Sequence, residues 1–366
     1  MAKNPHIPEK LPVKVEYQEL LTEITKAHGS LARLDAMISQ LPNPTLLERT
    51  FLTKEAVLSS QIEGTQATIK EVFEYEAEGQ KKEDSNKERD IHEITNYRLA
   101  MRKGVEMLKE RPLSENMIKE LHKILLQSVR GYNKAPGEFR KQQVYIGKPG
   151  VGIENASYVP PPPTAIPELF SNFEKYLNSQ EEQDVLVQIA IAHFQFEAIH
   201  PFLDGNGRIG RLLIPLFLYE RKVLSYPLLY LSQYFEENRP DYYQLLNNIT
   251  EKGEWLPWIK FFLHALEEQS MKAQETSKNV LSLYQSYKEK ITSINSKYAL
   301  NLLDAIFAHP VFSYKSIRET SKIKNPQTLI SLIKKFVEAG IVQESEPERK
   351  RNKLYAFGEL MKLLNQ

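Results

Sequence analysis

The chain has 366 residues, too many for one ordinary hydrophobic core, so two or three domains are expected. Apolar residues make up 41% and charged residues 26%, the mix of a folded globular protein, and a net charge of +1 excludes a global field that would draw in nucleic acid or membrane. The absence of cysteine excludes disulfides, thiolate nucleophiles and cysteine-held zinc, and fits a reducing compartment.

Met1 to Val13 is polar and proline-studded, without the apolar core of a signal peptide. The greasiest stretches, Val185–Phe202 and Leu212–Leu218, are interrupted by polar groups or too short to span a bilayer, so the cytoplasm is the expected setting and no membrane partner is expected. Apolar residues recur at helical spacing over Tyr17–Ser39. The pattern repeats over Leu46–Ile62, after the breaker Pro42-Asn43-Pro44. Glu78–Asp90 has almost nothing to bury and reads as an exposed loop. Ile91–Leu108 and Ser114–Leu126 resume the helical period, with Ser114 as a cap. Gln143–Gly147 and Ser157-Tyr158-Val159 flank a glycine-rich turn and read as a small hairpin, closed by the extended run Pro160–Pro163. Ile166–Leu177 and Asp184–Ile199 follow as helices, the second apolar nearly all round and therefore buried. Leu212–Tyr219 is another buried helix despite Pro215, and Trp255–Leu266 closes this block.

Lys272–Lys297 is long, polar and helical in composition, a link between two bodies. Beyond it, Leu302–Ala308, Tyr314–Ser321 and Pro326–Ala339 read as helices, and Ile341–Gln343 and Leu354–Phe357 flank the charged run 344–353. Three helices and a hairpin are in winged-helix order. Gln327, Thr328, Ser331, Lys334 and Lys335 on the third helix, with Arg349, Lys350, Arg351 and Lys353 in the wing, could meet DNA phosphates. Glu344, Glu346 and Glu348 in the same hairpin favour an interaction or dimerisation module instead.

The reactive groups concentrate in His200-Pro-Phe-Leu-Asp-Gly-Asn-Gly-Arg-Ile-Gly-Arg211. Gly205, Asn206 and Gly207 read as a tight turn opening a helix at Arg208, and helix-terminal amides behind small glycines make a phosphate cradle. Asp204 can hold a divalent cation bound to phosphates. Arg208 and Arg211, three apart, share a helix face where two guanidinium forks can grip phosphate, and His200 is the nearby base for neutral pH. A glycine–asparagine turn alone is commonplace, and His193 on its buried helix reads as a satisfied core residue. Zinc between His193 and His200 is disfavoured without a His-Glu-x-x-His or cysteine. There is also no Walker A sequence and no dinucleotide fingerprint after a strand.

The string 200–211 resembles the Fic family signature, H-x-F-x-(D/E)-G-N-G-R-x-x-R, at every fixed position. The likeness extends over roughly Ser114–Leu266, including Gly137-Glu138-Phe139-Arg140 and the hairpin after it. It implies a mainly α fold: an all-helical Fic/Fido core with a small β-hairpin flap, preceded by a helical region (1–112) and followed by a linker helix and winged-helix-like domain (271–366), with the catalytic domain at 113–270. The implied activity is transfer of AMP from ATP to a Ser, Thr or Tyr hydroxyl of target proteins and of the enzyme itself. The implied roles are His200 as general base, Asp204 as ligand of Mg²⁺ (or Mn²⁺), and Gly205, Asn206 and Gly207 as anion hole, with Asn206 contacting phosphate. Arg208 would bind the phosphate chain and Arg211 the γ-phosphate. Tyr145, Ile146 and Gly147 of the flap would clamp the target by strand addition. Tyr242 resembles a tyrosine that packs on adenine in relatives, although a tyrosine pair on a helix is more often core.

Ser59-Ser60-Gln61-Ile62-Glu63-Gly64 also matches the family's inhibitory pattern, (S/T)-x-x-x-E-(G/N). The resemblance implies that Glu63, with Ser59 one turn earlier, engages Arg211 and denies it to the γ-phosphate. In some relatives the same glutamate positions a water that removes AMP. A nucleotide-sensing DNA-binding regulator is the competing reading, and a kinase-like or other nucleotidyl variant a third, which Gly207 disfavours. A homodimer and DNA are partners that this reading admits through the tail.

Overall fold

The computed structural model describes residues 4–39, 45–79, 86–127, 134–147, 152–345, 348 and 352–364. Pro42-Asn43-Pro44, Gly150, Glu346 and the wing residues Arg349, Lys350 and Arg351 lie outside them.

The molecule is mainly helical, as its periodicity requires. An extended lead, residues 4–16, crosses the helices α6 (Ile166–Asn178) and α7 (Val185–Ile199): the Leu11 amide donates to Asn172 Oδ1, and Asn172 Nδ2 returns to the Leu11 carbonyl. Next come α1 (Leu21–Ser39), α2 (Thr45–Ile62), α3 (Ile69–Glu78), α4 (Asn86–Met107) and α5 (Glu115–Leu125). Thr68 opens α3 with a reciprocal capping box to Glu71, and Ser114 caps α5 through the Met117 amide. Helix α4 begins inside the stretch expected to be loop, and α3 ends where that stretch starts. The first turn of α4 is dense in mixed charge, so its composition resembles a loop.

The centre is the pair α7 and α8 (Asn206–Glu220). Asp184 caps α7 through the Leu186 and Val187 amides, and nearly every α7 side chain is buried, as an all-apolar helix demands. Around the pair pack α4, α5 and α6, then α2 with α9 (Ser232–Glu237), and α10 (Arg239–Lys252) against α11 (Trp255–Lys290). Helix α11 is a single element of 36 residues that lies along α1 and α7. Sequence composition splits it into a buried and a polar part, but beyond Pro257 in its first turn no proline or glycine interrupts it, so the helix continues through residue 271.

The C-terminal block runs α12 (Ala299–Ala308), β1 (Val311–Ser313), α13 (Tyr314–Ser321), α14 (Pro326–Glu338), β2 (Gln343–Glu344), β3 (Leu354–Ala356) and α15 (Gly358–Leu364). The sheet order is β1-β3-β2, antiparallel throughout, with Val311 and Gln343 both opposite Ala356. Strand β1 was not anticipated. This block packs α12 and α15 onto α2, and β1 and α13 onto α3. Lys334 pairs with Glu338 and Lys353 with Glu344, so part of its positive charge is neutralised within the chain. Among the described residues, no helix is long and apolar enough to cross a membrane.

Candidate active site

Helix α7 delivers the first group. Its last turn closes with the His200 amide on the Phe196 carbonyl, and His200 then takes left-handed angles, φ 48° and ψ 60°. A residue with a Cβ adopts that conformation at a cost, so the surroundings must hold it. Burial is the largest influence on its imidazole and lowers the pKa to about 4, with the Arg140 charge adding to the effect. His200 is therefore neutral at pH 7, with Nδ1 buried and unpartnered.

The loop that follows is held by its own side chains. Phe202 is buried and stacks on the His122 ring of α5, centroids 3.8 Å apart. His122 Nδ1 accepts from the Gly137 amide at 2.9 Å, so its Nε2 carries the proton and donates to the Asp204 carbonyl at 2.9 Å. Asn206 Oδ1 accepts from the Phe202 amide and Nδ2 donates to the Phe202 carbonyl, both at 2.9 Å. The Asn206 carboxamide thus staples the loop into shape. Gly205, at φ +78°, supplies the left-handed turn into α8 and brings no capping side chain. The first amides of α8 are left for an anionic ligand.

Arg208 and Arg211 are both buried and face α4 and α2. Arg208 Nη1 donates to Glu93 Oε2 at 2.9 Å, and Nη2 to Asp204 Oδ1 at 3.1 Å. Arg211 Nε donates to Ser59 Oγ at 2.9 Å, while Nη2 reaches the Ser59 carbonyl at 2.9 Å and Glu63 Oε1 at 2.6 Å. Burial alone would raise the Glu63 carboxyl, but Arg211, with Arg208 and His200, outweighs it and holds the group below the usual carboxylate range. Gly207 explains the close fit: a Cβ there would lie 2.2 Å from Glu63 Oε1 and 2.9 Å from Arg211 Nη1.

These groups open onto a cleft of about 800 Å³ lined by Glu63, His200, Gly207 and Arg211 at one end and the flap at the other. Among the described residues of the flap, an antiparallel bridge joins Ile146 to Tyr158. Tyr145 and Ile146 are 45% and 37% exposed, and Gly147 lines the same cleft. Tyr242 is buried, its hydroxyl 2.9 Å from His193 Nε2, and only borders the cleft, whereas Tyr243 beside it is 44% exposed. His193 is the satisfied core residue expected, with burial lowering its pKa to about 3.

Several site residues escaped the sequence reading. Glu93, His122, Arg239 and the individual role of Arg140 have no local signature, because their partners are far away in the chain. Arg239 Nη2 holds the Ile62 carbonyl at 2.7 Å, capping the end of α2. Glu197 did carry a signal, a lone carboxyl in an apolar helix. Burial raises it to about 7, and its Oε1 is unpartnered.

Among the described residues, no group of three or more His, Asp or Glu could hold a metal. A magnesium ion carried on phosphates needs only one or two protein carboxylates, and Asp204, 38% exposed at the loop, fits that donor set.

Comparison with known proteins converges on one family. The description "Fic/DOC family N-terminal" matches residues 21–106, and "Fic/DOC family" matches residues 112–218. Protein adenylyltransferase Fic of Drosophila ananassae is 31% identical over 180 residues, covering 48% of this chain and 33% of that protein. A probable protein adenylyltransferase of Aquifex aeolicus is 33% identical over 176 residues, 48% of this chain and 50% of its own length. The aligned regions thus span a third to a half of these relatives. In structure, a Fic family protein from Desulfovibrio desulfuricans superposes over 95% of this chain and 98% of its own, with TM-score 0.61 at 20% identity, a likeness of fold.

Proposed function

We propose that this chain, which belongs to the Fic family, transfers AMP from ATP to a Ser, Thr or Tyr hydroxyl of a protein, and that Glu63 restrains the transfer. The observation that carries this reading is the convergence, in one cleft, of a neutral base (His200), an uncapped helix N-terminus (α8) and an arginine (Arg211) already occupied by a carboxylate.

The chemistry follows from what each group can do. Once Glu63 is withdrawn, the triphosphate sits over Gly207, where no Cβ of the loop stands between the first α8 amides and phosphate oxygens. Mg²⁺, when bound by Asp204 and the phosphates, supplies positive charge against the polyphosphate. His200 removes the proton of the target hydroxyl as that oxygen attacks the α-phosphorus. A new P–O bond forms, the bond from the α-phosphorus to the bridging oxygen breaks, and pyrophosphate leaves with the electron pair. Little covalent help is required, since positioning and charge stabilisation carry phosphoryl-type transfers. The exposed Tyr145–Gly147 edge supports docking of the target backbone as an added strand.

Glu63 opposes this chemistry in two ways. Its carboxylate fills the space above Gly207, where the end of the triphosphate would lie, and it engages the guanidinium that would neutralise that end. Two anions competing for one arginine leave ATP bound out of line for attack. ATP labelled on either the α- or the γ-phosphate tests the reading. Label should appear on protein from the α-position alone, and transfer of the γ-label would make the protein a kinase.

A further inference from the structure

None of the steps above uses Arg140, yet the residue is 2% exposed and, among the described residues, its side chain makes four hydrogen bonds, all to main-chain carbonyls. Nε donates to His200 O at 2.8 Å, Nη1 to Gln142 O at 3.1 Å, and Nη2 to Pro161 O at 2.6 Å and Ile199 O at 3.5 Å. Its own amide reaches the Pro201 carbonyl at 2.9 Å. Gln142 and Pro161 are the two stems of the flap; Ile199, His200 and Pro201 are the backbone of the base. One planar fork therefore joins the element that presents the target to the residue that deprotonates it.

Two features set this arginine apart from a structural clip. Among the described residues no carboxylate pairs with it, and burying an uncompensated guanidinium is expensive. It also bonds the carbonyl of a residue held in left-handed angles, a conformation that relaxes unless the surroundings fix it.

We propose that Arg140 is a positioning residue for the transfer reaction: its guanidinium locks left-handed His200 to both stems of the flap, so that base and clamped hydroxyl arrive in register. The inference rests on the AMP-transfer reading and adds a coupling between target binding and the base. Its charge has a second consequence. The charged groups acting on His200 are Arg140, which lowers its pKa, and Glu63 just past the end of α2 and Asp204 of the loop, which raise it. Without Arg140 the imidazole would take up a proton at higher pH.

The test uses the full chain carrying Glu63→Gly, with Arg140→Lys and Arg140→Gln added, each checked for folding by circular dichroism. Misplacing a base relative to its substrate costs on the order of 100-fold, so both variants should lose about that factor in kcat while KM for ATP holds. The acid limb of kcat should lie higher in Arg140→Gln than in the parent and stay in Arg140→Lys, which keeps the charge. Folded variants with the kcat and acid limb of their parent would overturn the proposal. If neither variant folds, the parent decides through the hydrogen bond itself: an Arg140 Nε proton protected from solvent exchange by NMR supports the lock on the His200 carbonyl, and one that exchanges as freely as an exposed arginine overturns it. If the parent transfers no AMP at all, the functional reading fails. Exchange of the Arg140 Nε proton in the unsubstituted chain then settles Arg140 by the same two outcomes.

Discussion

Glu63 Oε1 lies 2.6 Å from Arg211 Nη2, and it does so in the one space that a side chain on Gly207 would fill. Two helices distant in sequence, α2 and α8, are thereby joined at the point where a nucleotide's terminal phosphate would sit. Ser59 completes the grip by taking Nε of the same guanidinium. The pair is buried on the arginine side, where burial would lower the arginine pKa but the Glu63 charge outweighs it and raises it. The contact resists screening by salt as an exposed pair would not.

His200→Ala should lower AMP transfer by about 100- to 10,000-fold, the usual worth of a general base. ATP affinity, measured by calorimetry, should hold, since the imidazole is assigned to the hydroxyl and not to the nucleotide. Equal loss of both would place His200 among the nucleotide ligands.

Asn206→Ala removes two hydrogen bonds that close the loop on Phe202. Each is worth about 1 kcal/mol net, more if the buried Phe202 groups stay unpaired. The melting temperature and ATP affinity should fall together. A variant with weaker ATP binding but wild-type melting would return the carboxamide to direct phosphate contact.

Glu197 gives the fold a pH dependence. Its folded pKa is raised by burial to about 7 from an unfolded 4.5, so the native state holds the proton more tightly. Its contribution to stability is present below pH 4.5 and is lost as pH rises through about 7. Glu197→Gln should therefore melt higher than wild type at pH 8, by a few degrees, with a smaller advantage at pH 5. An advantage that is constant across this range would remove titration of Glu197 as its cause.

The legible part of this protein was the contiguous part. His200–Arg211 is one string whose residue types and spacing state their chemistry, and Ser59 to Glu63 becomes readable once that string is recognised. Helices with an apolar face, such as α5 and α7, announce themselves by period. What stayed hidden depends on chain partners far apart. Arg140 finds Pro161 and His200, His122 finds Asp204, and Arg208 finds Glu93, and no local pattern marks any of the three. Asn206 shows the opposite limit: it stands inside the legible string, but the bonds of its side chain to the Phe202 backbone four residues earlier are not written in that string. Helix α11 was divided on composition where only a breaker should divide, and β1 is too short for a period to show.

The central claim is that AMP transfer occurs at His200–Arg211 and is held down by Glu63. Its most direct test is incorporation of α-labelled AMP into protein by three full-length chains: unsubstituted, Glu63→Gly, and Glu63→Gly with Arg211→Ala. Glycine near a helix end removes stability, by about 1 kcal/mol relative to alanine in a helix interior, so a gain of activity from it has few explanations besides release of Arg211. The account predicts low labelling in the first, a marked rise in the second, and a return to low labelling in the third. Labelling by Glu63→Gly no higher than the unsubstituted chain, with ATP bound equally by both, would contradict it.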